Sequence, residues 1–192
     1  MNYNFGTTQY QRSVAKDLLS QISIVDPSAI LAGGAVRDWY LGTPAKDLDI
    51  YVRCPNHQTY TDKVDLLSKI GIGNINPLSK NSAANYASLP GLLSVFEGYY
   101  SGLKVNIMFM DTYSYGESII ENFDCSICEC FMNKDGKCFY SNNFFKTIES
   151  KVIFVNERYT GNEQHVIKMA ERFPEYLLAK IIKKAKKDLD SF

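Results

Sequence analysis

Ala29-Ile30-Leu31-Ala32-Gly33-Gly34-Ala35-Val36-Arg37-Asp38, followed closely by Lys46-Asp47-Leu48-Asp49-Ile50-Tyr51-Val52, decides the fold. A short apolar run ends in two glycines and passes into an amphipathic segment, a pattern that predicts strand, tight turn and helix. Backbone N–H groups at the helix N-terminus then face the turn, which makes Gly33 and Gly34 a candidate phosphate cradle. In the second stretch Asp47 and Asp49 alternate with Leu48 and Ile50. A strand's period of two puts both carboxylates on one face and both aliphatics on the other. Paired oxygen ligands suit a hard divalent cation, and Mg²⁺ is usually held by one or two carboxylates together with substrate phosphates.

The two stretches, in this order and at this separation, resemble the active-site signature of the DNA polymerase β-type nucleotidyltransferases. The match is to the head domain of CCA-adding enzymes and bacterial poly(A) polymerases, whose pattern runs Gly-Gly-x-Val-Arg-Asp, a short helix, then Asp-x-Asp. Gly33, Gly34, Val36, Arg37 and Asp38 fit the first half, and Asp47 and Asp49 the second, with Leu41-Gly42 and Lys46 between them. The resemblance implies an α/β (mixed) fold: a small twisted mixed sheet flanked by helices, with a helical C-terminal appendage. It implies Mg²⁺-dependent transfer of NMP from an NTP, ATP or CTP, to a hydroxyl, with Mn²⁺ as a possible stand-in. The first acceptor it suggests is the 3′ end of a tRNA or small RNA; stand-alone relatives that modify a protein or small molecule suggest the second. Asp47 and Asp49 are then catalytic and metal ligands, and Arg37 with Asp38 helps to hold the turn and its nucleotide. Lys46 and Lys104 offer positive charge to a triphosphate, or form surface ion pairs.

The 192 residues suffice for one domain, or one domain with an appendage. We expect a head over 1–155 and a basic helical appendage over 156–192. Twenty-one basic and 21 acidic residues cancel, so affinity for nucleic acid must come from a local patch. Met1-Asn2-Tyr3-Asn4-Phe5-Gly6 lacks the charged and apolar regions of a signal peptide, and no long apolar run follows. The expectation is a cytoplasmic protein without a membrane partner; the sequence says nothing of oligomeric state. Five cysteines, an odd count, argue against a disulfide framework. Cys125, Cys128, Cys130 and Cys138 can be drawn as a zinc site, but a strand over 126–132 would split them between two faces, which favours small buried apolar residues.

Helical spacing predicts amphipathic helices over 8–22 and 59–70, and a short one over 36–41. Residues 71–90, rich in Asn, Ser, Gly and Ala, read as a long loop. Segments 92–100 and 104–110 around Ser101-Gly102 read as a hairpin. Trp39 reads as core. A short helix over 117–123 precedes the expected strand at 126–132, and a strand–helix–strand follows over 139–155.

The family places a third carboxylate on a neighbouring strand, written apolar-acid-apolar. The matching Val105-Asn106-Ile107 holds an amide, which can coordinate a metal but adds no charge. Three accounts stay open: Glu97 or Asp111 supplies the acid, Asn106 works with two acids, or catalysis has been lost while nucleotide binding persists. Asn122-Phe123-Asp124-Cys125-Ser126-Ile127-Cys128 resembles a degenerate form of the family's Arg-Arg-Asp-Phe-Thr-Ile-Asn-Ala element, which implies a nucleotide-binding role for Asp124. Finally, His165, Lys168 and Arg172 share one helical face, and a second helix after Pro174 is expected to carry Lys180, Lys183, Lys184 and Lys187. The basic strip is either a solvated face or a contact for RNA phosphates.

Overall fold

A computed structural model describes residues 3–54, 59–78, 89–111, 116–156 and 163–181. Helix α1 (Tyr3–Ile22) leads to β1 (Ile30–Ala32), α2 (Gly34–Tyr40), β2 (Leu48–Arg53), α3 (Tyr60–Lys69), β3 (Gly73–Pro77), β4 (Leu92–Tyr100) and β5 (Leu103–Met110). After these come α4 (Gly116–Ile120), a 3₁₀ turn (Ser126–Cys128), β6 (Cys130–Met132), β7 (Cys138–Tyr140), α5 (Asn142–Ser150), β8 (Val152–Asn156), α6 (Glu163–Arg172) and β9 (Leu177–Ile181).

Seven strands form a mixed sheet in the order β3-β4-β5-β2-β1-β6-β7. All its pairs are antiparallel except the central β2–β5 pair, which is parallel. A parallel pair needs a crossover, and α3, β3 and β4 supply it. One sheet face carries Leu31, Leu48, Ile50, Val52, Val105, Ile107 and Phe109, packed beneath Leu18, Leu19, Val36 and Leu67 from the helices. The other carries Ile30, Ala32, Tyr51, Met108 and Met110 against Ile119, Phe123, Ile127, Ile153 and Met169. Asp49 and Asn106 belong to this second face by the alternation of β2 and β5, so the candidate acids lie on the face covered by α4 and α6.

Local chemistry explains the boundaries. Thr59 and Asp62 form a reciprocal capping box at the start of α3. Ser141 accepts from the Phe144 N–H and starts α5. The β4–β5 hairpin turns on Ser101 (φ 47°) and Gly102 (φ 77°), the pair of positive φ values that a two-residue turn matching strand twist requires. Trp39 is 7% exposed and donates to Gln11 Oε1 at 3.0 Å, as a core indole with a polar handle should.

Three expectations are corrected. Within the loop expected over 71–90, residues 73–77 form β3 on the edge of β4; a Cβ on Gly98 would lie 2.6 Å from Ile72 Cγ2 and 2.9 Å from the Gly73 carbonyl, so the close approach depends on that glycine. Residues 79–88 lie outside the described part. The strand expected over 126–132 begins only at Cys130. Ser126–Cys128 is a 3₁₀ turn because Cys128 N donates to Cys125 O and Glu129 N to Ser126 O, while Ser126 Oγ accepts from the Phe154 N–H. The third concerns the tail: Leu177–Ile181 is not helix but β9, parallel to β8 across α6. Leu177, Ala179 and Ile181 also alternate with period two, and an unpaired edge of β8 outweighs helix propensity. Lys180 falls on β9, and Lys183, Lys184 and Lys187 lie outside the described residues.

A fully buried aromatic of the first cluster offers a test of this packing. Phe144 is fully buried between Tyr40, Tyr140 and Phe145. Phe144→Ala should cost about 3–5 kcal/mol in urea unfolding; a loss below about 1 kcal/mol would contradict the packing described.

Candidate nucleotide and metal site

The site is built where β1 gives way to α2 and where β2 and β5 run side by side. Gly33 has φ 80° and ψ −125°, a conformation closed to residues with a Cβ. Its N–H donates to the Cys130 carbonyl at 2.8 Å, tying the turn to β6, and its own carbonyl accepts from Arg37 N at 3.1 Å. Phe123 lies against it, 3.5 Å from the position of a Cβ. Helix α2 is only seven residues long. Any anion would therefore be held by the first N–H groups of the turn, which lack intrahelical acceptors, more than by a long helix dipole.

The β2–β5 register sets Leu48 opposite Val105, Asp49 opposite Asn106 and Ile50 opposite Ile107. Leu48 and Ile50 are buried while Asp47 and Asp49 are half-buried, the alternation the sequence pattern predicts. Asn106 is 4% exposed, and its Nδ2 donates to Asp49 Oδ1 at 2.9 Å. Its Oδ1 is buried without a hydrogen-bond partner among the described residues. Such an orphan costs about 1–3 kcal/mol, and a hard cation beside Asp49 would satisfy it. The donor set of two carboxylates and one amide oxygen thus fits Mg²⁺ or Mn²⁺, with the amide in the family's third position.

The other two candidates for that position fare differently. Glu97 stands across from Asn106 on β4, but its carboxylate is paired with Lys104 Nζ at 2.9 Å. The hydrogen bond to Glu97, and secondarily Asp47, hold the Lys104 ammonium above its usual pKa, so Lys104 is a fixed cation at the rim of the carboxylates. Asp111 follows the far end of β5, packed at Gly91, five residues beyond Asn106 and on the opposite pleat. Lys46 is exposed beside Asp47.

Arg37 and Asp38 lie beneath the turn. Arg37 is 2% exposed; its Nε and Nη2 reach Asp38 Oδ1 at 2.9 and 2.8 Å, and its Nη1 reaches Cys128 Sγ and Met169 Sδ. Burial opposes its charge, and Cys128 and Asp38 more than offset that. Burial also pushes the Cys128 thiol up to about 11 despite Arg37, so the sulfur is neutral at pH 7. Arg172 donates to Asp38 Oδ2 at 2.8 Å from α6. Asp38 is therefore held between two guanidiniums, and the trio ties the turn to the last helix. Asp124, 6% exposed, contacts His165 Nδ1 at 2.6 Å. The expected strip is thus divided: His165 and the exposed Arg172 pair with acids, and Lys168 remains exposed. The seven-residue separation of His165 and Arg172, two helical turns, was the signal for that shared face.

The family model described as Gad2, Gabija anti-defense 2 family protein, matches residues 7–151. The chain belongs to the Gabija anti-defense 2 family. None of the curated proteins matches this family member. Its structure is similar to that of a CCA-adding enzyme with CTP, with a TM-score of 0.62 at 15% identity over 91% of this chain and 43% of that one. It is similar also to the Bacillus stearothermophilus CCA-adding enzyme in complex with CTP (0.58, 16%, 93% and 42%) and to the Thermotoga maritima CCA-adding enzyme complexed with tRNA (0.59, 16%, 85% and 38%). The Gad2-family chain therefore has the polymerase β-like nucleotidyltransferase fold, and it spans less than half the length of each of these enzymes. Among the described residues no helix is long and apolar enough to cross a membrane.

The orphaned amide oxygen yields a test. Asn106→Asp removes the N–H donated to Asp49 and sets a like charge against it, which should destabilise the metal-free protein by about 1–3 kcal/mol. Mg²⁺ should return that stability and bind more tightly than in the wild type. Thermal melts in EDTA and in Mg²⁺ measure both, and a variant indifferent to Mg²⁺ would show that no ion sits between these side chains.

Proposed function

We propose that this protein is a Mg²⁺-dependent nucleotidyltransferase that moves NMP from an NTP to a hydroxyl on a component of the Gabija defence, a protein hydroxyl in the first instance. The observation that carries the chemistry is the level placement of Asp49 and Asn106 across β2 and β5, with the Asn106 carbonyl buried and unsatisfied. The family's name supports a target within a defence system. The pairing of His165 with Asp124 and of Arg172 with Asp38 ties two members of the strip that favoured RNA to acids of this chain.

In this reading the Gly33–Gly34 turn receives the triphosphate through backbone N–H groups, and Lys104 and Lys46 offset its charge. Asp47, Asp49 and the Asn106 carbonyl would hold Mg²⁺, which when bound would offset the charge on the attacking and leaving oxygens. The attacking hydroxyl must lie in line with the departing pyrophosphate, and its proton would pass to a carboxylate of the pair or to solvent. Asn106 keeps Asp49 oriented by its donated N–H, and with one carboxylate fewer than the family pattern the site carries less negative charge.

An RNA 3′ end is the second acceptor, supported by similarity to enzymes whose names specify tRNA. ATP and CTP are the first donors to try, as those neighbours were solved with CTP or an ATP analogue.

Transfer from each α-labelled NTP, with Mg²⁺ and either purified Gabija proteins or total small RNA, separates the readings. We expect label on a protein band, lowered at least ~100-fold by Asp47→Ala with Asp49→Ala, on the order of losing a principal charge stabiliser. Label on RNA alone would replace the first acceptor by the second. Bound NTP with no label on either would overturn transferase activity and leave a nucleotide-binding protein.

A further inference from the structure

A second group of ligand-type side chains joins Asp124, for which the resemblance implies a nucleotide contact, to Cys125 and His165, which the nucleotidyl-transfer chemistry does not use. Asp124 and Cys125 lie in the segment between α4 and the 3₁₀ turn, and His165 stands in the first turn of α6. One carboxylate oxygen, the thiol sulfur and one ring nitrogen all lie within 4.8 Å of one another. Asp124 and Cys125 are 6% and 0% exposed, whereas the His165 side chain is 31% exposed and gives the group one open side.

We propose that Asp124, Cys125 and His165 bind Zn²⁺, joining the segment after α4 to α6 at a site that is separate from Asp47, Asp49 and Asn106. The donor set decides the metal. Oxygen, sulfur and imidazole nitrogen together suit a borderline-soft ion that accepts tetrahedral geometry, whereas Mg²⁺ takes oxygen. A carboxylate and a thiolate carry two negative charges between them, which Zn²⁺ cancels; the buried site is then neutral, and His165 binds as neutral imidazole. Three protein ligands leave the fourth position to water on the open side at His165.

The geometry needs little adjustment. Bonds of 2.0–2.2 Å imply ligand atoms about 3.3 Å apart in a tetrahedron, so the 2.6 Å contact between Asp124 Oδ2 and His165 Nδ1 must open by less than ~1 Å. The backbone carrying the other two ligands is pinned: Asn156 N donates to Asp124 O, Cys128 N donates to Cys125 O, and Cys125 bridges to Val155 of β8. The separations in the group, which reach at most 4.8 Å, close to about 3.6 Å for sulfur in a tetrahedron, and His165, 31% exposed, has room to turn. The consequence reaches the nucleotide site. Helix α6 also carries Met169 and Arg172, which contact Arg37 and Asp38, so an ion on His165 fixes the helix that braces the Gly33 turn.

The test uses the full chain, stripped with EDTA and reloaded with Zn²⁺ or Co²⁺ alone. We expect one zinc per chain by mass spectrometry of metals, a higher melting temperature with zinc, and in the cobalt form the intense visible bands of tetrahedral coordination with a sulfur-to-cobalt charge-transfer band. Cys125→Ser should abolish the charge-transfer band. His165→Gln, at a half-exposed position and checked for fold by circular dichroism, should weaken zinc binding at least ~10-fold. Asp47→Asn with Asp49→Asn should leave the cobalt spectrum intact, which keeps this result independent of the nucleotidyl-transfer reading. Failure of the folded wild type to take up zinc, or an unchanged cobalt spectrum in Cys125→Ser, would overturn the proposal and leave a plain Asp124–His165 pair.

Discussion

The parallel pairing of β2 with β5 is the constraint on which the rest depends. In a twisted sheet a one-residue slip sends every side chain to the other face, and here the buried set Leu48, Ile50, Val105 and Ile107 fixes the register. Because those residues are locked into the core beneath α1 and α2, Asp49 and Asn106 have to stand level on the opposite face, joined by a 2.9 Å hydrogen bond. The chemistry of the site is thus a by-product of hydrophobic register. The same pairing explains why β3 and β4 exist: parallel neighbours cannot be joined by a tight turn, so the chain must cross over and return.

A second device braces the turn. Burying the guanidinium of Arg37 carries a desolvation cost that only a well-placed partner offsets, and Asp38 supplies it while taking a second guanidinium from Arg172. The pair is local in sequence, but the third member comes from α6, 134 residues away from Asp38. The Gly33 turn is thereby coupled to the C-terminal elements. Phe123 on its other side adds contact from the segment that leads to Asp124. The residues around the Gly33 turn are in this sense assembled from distant parts of the chain.

Much of this was legible in the residues. Gly33-Gly34 followed by Asp47-Leu48-Asp49-Ile50 specifies turn, helix and alternating strand by periodicity and glycine chemistry alone, and Ser101-Gly102 marks the hairpin turn. What was not legible depends on partners distant in sequence. Leu177–Ile181 carries a pattern compatible with helix or strand, and only the free edge of β8 decides between them. Ser126–Cys128 leaves the strand because Ser126 is engaged by Thr147 and Phe154. Arg37 and Asp38 could be read as a pair, yet neither their burial nor the arrival of Arg172 could be. The replacement of an acid by Asn106 was visible at once; that its amide donates to Asp49 while its carbonyl stays orphaned required the fold.

In the proposed mechanism Asp47, Asp49 and the Asn106 carbonyl form one divalent-cation site beside the Gly33 turn. The most direct measurement is a crystal grown with Mn²⁺ and a non-hydrolysable ATP or CTP analogue, with data collected for the anomalous signal of manganese. The account predicts a peak about 2.2 Å from oxygens of Asp49 and Asn106, close to Asp47 and to the analogue's phosphates, a distance ordinary for a hard divalent ion. An analogue bound with its phosphates away from the turn, or a site in which Asn106 Oδ1 faces no metal, would contradict it.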